Sequence, residues 1–128
     1  MFLVFGGFSG GLTVLASAFG AHGLKAAEAS ERAIEIFGMA VRNQMYHTLA
    51  LVAVGVLIVA ASGRGGVRLL HWSGSMFLAG ILLFSGTMYL YALTGERGIP
   101  GLTPVGGVAF VVGWFLLGIW ALRAKLSA

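Results

Sequence analysis

Residues 105–122 read VGGVAFVVGWFLLGIWAL, eighteen consecutive positions without a charged side chain. At 1.5 Å of rise per residue, such a helix is about 27 Å long, close to the ~30 Å hydrocarbon thickness of a bilayer. In water the run would have to be covered on every side, and a 128-residue chain has too little other material for that. The same reading recurs three times along the chain. Phe2–Ala21, Tyr46–Ala61 and Leu69–Leu93 are also long and apolar, and with Val105–Leu122 they give four spans.

The composition agrees. Hydrophobic residues make up 59% of the chain and charged residues 9%, and the mean hydropathy is +0.96. Such a balance predicts an all-α integral membrane four-helix bundle, one domain over 1–128, with no separate soluble part. The 21 glycines fit, because glycine lets membrane helices approach closely. The absence of cysteine excludes disulfides, thiolate metal sites and cysteine nucleophiles. A net charge of +4 from a few loop residues points to lipid headgroups as partners, not to nucleic acid.

The first span invites comparison with a secretory signal, since Ala16-Ser17-Ala18 has the form of a cleavage site. No lysine or arginine precedes Lys25, however, so the basic leader segment is missing. Gly6, Gly7, Gly10 and Gly11 form two overlapping G-x-x-x-G patterns, the spacing of a helix packed in a bundle. Gly106 and Gly107 are expected to serve packing in span four in the same way. A retained transmembrane helix is the expectation.

Between spans one and two the pattern changes. Ser30 precedes three helix formers and is placed to cap a helix. Ile34, Phe37 and Val41 recur at i, i+3 and i+7, with Ile36 and Ala40 beside them. Glu28, Glu31, Arg32 and Glu35 take much of the other surface. This amphipathic segment either lies at the interface or extends span two, and a continuous helix from Glu31 to Ala61 is compatible with the sequence. The short loop from Ala61 to Arg68 has glycines at 63, 65 and 66. The loop from Thr94 to Pro104 holds both prolines and reads as an ordered turn.

Four spans place both termini and the second loop on one side. That side carries Arg64, Arg68, Arg123 and Lys125 and no acidic side chain. The other carries Lys25, Arg32, Arg42 and Arg97, together with all four glutamates. The count of basic residues is tied. The first set sits in a short loop and tail near span ends, which favours both termini inside.

The polar residues within or beside the spans are few. His22 ends span one, Asn43, Gln44 and His47 begin span two, Ser85 and Tyr89 lie in span three, and Thr103 begins span four. Topology gathers them towards the face that carries loops one and three, with His22 expected near Gln44 and His47. Asn43 and Gln44 share a helical face with His47 by i, i+4 and i, i+3 spacing. An imidazole or carboxamide in so apolar a setting needs a partner. A polar clasp that holds the helices together satisfies that need. A site at the His22/His47 face for a lipid, quinone or haem is the alternative. No nucleophile–base set, phosphate loop or metalloprotease motif is present, so the sequence gives no enzyme, and no cofactor is expected. A transporter or channel lacks the mid-membrane carboxylate or broken-helix pair that would motivate it. His71 beside Trp72, and Trp114 with Trp120, read as anchoring and packing residues.

Several segments together resemble a known family. They are Gly20-Ala21-His22-Gly23-Leu24, Gln44 to Leu51 (QMYHTLAL), Phe84 to Tyr89 (FSGTMY), Thr103-Pro104-Val105-Gly106-Gly107, and Gly113-Trp114. In this order they resemble the YgdD-like small inner-membrane proteins, a domain of unknown function (number 423), over essentially the whole chain. The resemblance implies a four-helix bacterial inner-membrane protein with mitochondrial relatives, and it brings no biochemical activity. His22, Gln44, His47, Ser85, Tyr89 and Thr103 lie in the matching segments. The expected role is a structural or accessory component, with a homo-oligomer or larger membrane complex as its setting.

Overall fold

The computed structural model describes residues 1–61, 66–96 and 98–126, without the side chains of 125 and 126. Four helices make up the described fold: α1 (Phe2–Ala26), α2 (Glu31–Ala60), α3 (Val67–Thr94) and α4 (Leu102–Leu126). All four are long and apolar enough to cross a membrane. The expectations placed on Gly63, Arg64, Gly65, Arg97 and the side chain of Lys125 fall outside the described residues.

Helix α2 begins where its sequence allows. Ser30 is extended, and its Oγ accepts a hydrogen bond from the Ala33 amide (3.2 Å), capping the first turn. The amphipathic segment is therefore the first third of α2. It extends span two and is not a separate interfacial helix. Its apolar stripe is inside: Ile36, Phe37 and Ala40 are buried, while Glu31, Arg32 and Glu35 are exposed. Gly95 ends α3 in the left-handed region (φ 74°), which a Cβ disfavours, and its amide closes on the Tyr91 carbonyl.

Helices α1 and α3 each contain one π turn, at Phe19–Gly23 and Ile81–Ser85. A π turn inserts a residue and rotates whatever follows it relative to the preceding helix. The chain folds as α1 on α2, α2 on α3 and α3 on α4.

The main core joins Phe2, Leu51, Val54, Leu70, Phe77, Ile81 and Phe110 from all four helices. A second cluster of Leu24, Ile36, Phe37 and Ala92 closes the end that carries loops one and three. Much of the remaining apolar surface faces outward. Phe8, Leu12, Phe115 and Leu122 are each more than 60% exposed, the arrangement of a bundle solvated by acyl chains.

Close helix contact depends on particular glycines. A Cβ on Gly106 would run into the backbone of Phe84, and one on Gly80 into the ring of Phe110. On α1, a Cβ at Gly6 would lie 2.5 Å from Val52, and one at Gly10 would lie 3.7 Å from Thr48. Gly7 and Gly11 have nothing within 4 Å of that position. They lie 100° around the helix from Gly6 and Gly10 and point away from α2. Within the chain, the first span therefore uses one of its two G-x-x-x-G patterns. Gly107 makes only ordinary contact with the Phe84 ring (3.7 Å).

Candidate functional site

One set of polar residues in the bundle meets at Gln44, which is buried on α2. Its Nε2 donates to Ser9 Oγ (3.2 Å) and to the Ser9 carbonyl (3.3 Å) on α1. Its Oε1 accepts from the Tyr89 hydroxyl on α3 (2.8 Å). Ser9 Oγ also pairs with Thr48 Oγ1 at 2.6 Å. Thr13 Oγ1 donates to the Ser9 carbonyl (2.7 Å). One carboxamide thus ties three helices, with its donor side on α1 and its acceptor side on α3. The Tyr89 ring lies edge-on to Phe37 at 4.9 Å, which shields this bond from the loop side.

His47, one turn beyond Asn43, is held differently. Its Nδ1–H donates to the Asn43 carbonyl (2.8 Å), since a carbonyl can only accept. The imidazole stacks flat on Phe110 of α4, with centroids 3.4 Å apart and planes 9° from parallel. Phe77 and Trp114 stand around it at 5.9 and 6.2 Å. It serves as an aromatic plate between α2 and α4. The Asn43 side chain folds back onto the Met39 carbonyl (3.0 Å) and, among the described residues, joins none of the other polar side chains.

Two smaller links tie α3 to α4. Thr87 Oγ1 lies 2.6 Å from the Leu83 carbonyl and 2.6 Å from Thr103 Oγ1. The Thr87 proton goes to the carbonyl, so Thr103 donates to Thr87. Ser73 Oγ donates to the Gly113 carbonyl (2.8 Å) in a buried contact. Ser85, on the π turn, is 1% exposed, and its Oγ meets no partner among the described residues.

The expected gathering at one face holds only in part. Gln44 and Tyr89 do meet, and Thr103 pairs with Thr87. His22 is exposed on the π turn of α1 and joins none of these bonds among the described residues. On α1 and α2, Gly6 faces Val52, Gly10 faces Thr48 and Gly20 faces Phe37. That antiparallel register sets His22 level with residue 35, about 18 Å along the axis from His47. The two histidines cannot share one ion. Gln44 and His47 are also deeper than a start of span two at Tyr46 implied. Helix α2 starts at Glu31, which puts Gln44 about 20 Å along a helix about 45 Å long.

Ser9, Thr13, Thr48 and Ser73 were not expected at the site. A signal existed: Ser9/Thr13 and Gln44/Thr48 are i, i+4 pairs on otherwise apolar faces. Chemically the arrangement exchanges hydrogen bonds among helices. Among the described residues, no three His, Cys, Asp or Glu side chains converge as metal ligands would.

Comparison with known proteins finds a family. Residues 15–107 match the profile described as "Protein of unknown function (DUF423)". A UPF0382 membrane protein of Staphylococcus saprophyticus is 39% identical over 123 residues, covering 96% of this chain and 98% of its own. A second, from Staphylococcus aureus (strain bovine RF122), is 37% identical over 117 residues, 91% of each chain. The UPF0382 membrane protein YwdK of Bacillus subtilis is 34% identical over 123 residues, 96% of this chain and 97% of that one. No solved structure matches. These likenesses and the four apolar helices make this a membrane protein.

Proposed function

The chain belongs to the DUF423 family, and we propose that it is a structural or accessory component of the bacterial inner membrane, with no catalytic activity of its own. The observation that carries this reading is the Gln44 clasp. The carboxamide, the Ser9 and Thr48 hydroxyls and the Tyr89 phenol are spent on one another. A catalytic or transport site keeps a polar group directed at a substrate; here these groups hold helices together. Association, with a second copy or within a larger complex, uses the outer face of α1, where a Cβ on Gly7 or Gly11 would meet nothing within 4 Å among the described residues. Both termini face the cytoplasm.

Crosslinking tests the association. The chain has no cysteine, so Gly7→Cys or Gly11→Cys introduces a single thiol. Oxidation in native membranes is expected to give a crosslinked dimer, or a covalent adduct with a co-purifying membrane partner. A product that stays monomeric, with no partner retained in mild detergent, argues against the role.

A second reading, a module for a lipid or quinone, has one observation in its favour. A groove of about 450 Å³ at the loop-one end is lined by Phe19, Leu24, Ile36, Tyr91 and Arg32, an apolar wall with a cation at its rim. Extraction and mass spectrometry of gently purified protein test it, and the absence of any enriched quinone or lipid removes it. A haem held by His22 and His47 together is not compatible with their separation.

A further inference from the structure

We propose that the opposite end of the bundle, where α3 begins and α4 ends, binds the phosphate of an anionic phospholipid. A cleft of about 650 Å³ opens there, lined by Arg68, Leu69 and Trp72 of α3 and by Arg123 of α4. The helix register brings the two arginines to the same end of the bundle. Gly80 packs on Phe110, Gly106 on Phe84, and Ser73 bonds to Gly113. Those pairs set Arg68 opposite residues 118 to 122, one to five positions before Arg123.

The depth is that of a headgroup. Arg68 is the second residue of the span Val67–Thr94, and Arg123 is the penultimate residue of the span Leu102–Ala124. A guanidinium presents a planar fork of donors that matches two phosphate oxygens. Trp72, one turn deeper and 57% exposed, lies at the depth where an interfacial indole anchors. Leu69, about one turn nearer the surface, adds to the apolar lining of the cleft.

Glu28, Glu31, Glu35 and Glu96 all belong to the loop-one and loop-three end. Helix α3 starts at Gly66 with no side-chain cap, so its first amides add the positive end of the helix dipole at the same place. The phosphate of a lipid and a free phosphate share this chemistry. The apolar wall and the depth of the cleft select the lipid.

The test uses the full chain in mild detergent, titrated with phosphatidylglycerol, phosphatidylcholine of the same acyl chains, and inorganic phosphate, and read by native mass spectrometry. Phosphatidylglycerol is expected to be retained about tenfold over phosphatidylcholine, with no displacement by inorganic phosphate. Arg68→Gln and Arg123→Gln each lower its retention about fivefold, and the double substitution about thirtyfold. Arg42→Gln, exposed on α2, leaves it unchanged. Equal retention of the two lipids by the unsubstituted chain overturns the proposal without recourse to any variant. A preference that survives the double substitution overturns the assignment to these arginines. Displacement by inorganic phosphate overturns the lipid as occupant.

Discussion

At the scale of single residues, the bundle distinguishes satisfied polar groups from one that is not. Gln44 fills both ends of its carboxamide, and His47 fills Nδ1. Ser85 Oγ is buried without a partner among the described residues. An unmet hydroxyl in an apolar interior costs about 1–3 kcal/mol. Ser85→Ala removes that cost and leaves almost no cavity. It is therefore expected to leave thermal stability in detergent unchanged or to raise it by up to about 2 kcal/mol. A clear loss would mean that the hydroxyl is bonded in the membrane. The polar residue types were legible in the sequence, but their partners were not. Ser9 and Thr48 are small hydroxyls in apolar runs, and composition treats them as nearly neutral. Only the register of α1 on α2 shows that Ser9 meets both Gln44 and Thr48.

At the scale of the helix, glycine decides which faces close. Gly106 lets α4 lie against the backbone of α3 at Phe84, and a backbone cannot move aside as a side-chain tip can. Gly106→Ala is expected to cost about 1–3 kcal/mol by overpacking, read as a fall in the unfolding midpoint. Gly86→Ala is the contrast. Its added methyl meets nothing within 4 Å, and alanine favours helix over glycine, so a gain of about 0.5–1 kcal/mol is expected. Equal effects would show that the tight α3–α4 approach is not real. The four spans were legible because apolar runs of about 16 to 25 residues have few other solutions in so small a chain. The start of α2 was not. Glu31, Arg32 and Glu35 lower the local hydropathy, so the span read as beginning at Tyr46, half a helix late. That displacement is what moved Gln44 and His47, on paper, from the interior to one face. The π turns left no mark in the periodicity, since one inserted residue disturbs only a few positions.

At the scale of the whole molecule, the described charges divide by end. Exposed glutamates with Lys25 and Arg32 mark loop one, whereas Arg68 and Arg123 mark the end that carries the termini. The proposed orientation puts that end in the cytoplasm, where basic residues near span ends are retained. A C-terminal green fluorescent protein fusion is expected to fluoresce, and a C-terminal periplasmic phosphatase fusion to be inactive. The reverse pair of signals would invert the bundle.

The central claim is that Gln44 and Tyr89 join α2 to α3 as a structural clasp. A double-mutant cycle with Gln44→Leu and Tyr89→Phe, read by reversible unfolding in mixed detergent micelles, measures that claim directly. Hydrogen bonds between membrane helices couple by about 0.6 kcal/mol on average and up to about 2 kcal/mol. A favourable coupling within that range is predicted, with each single substitution destabilising. Strictly additive effects, or a more stable single variant at Gln44, would contradict it and return the carboxamide to the set of groups available for a ligand.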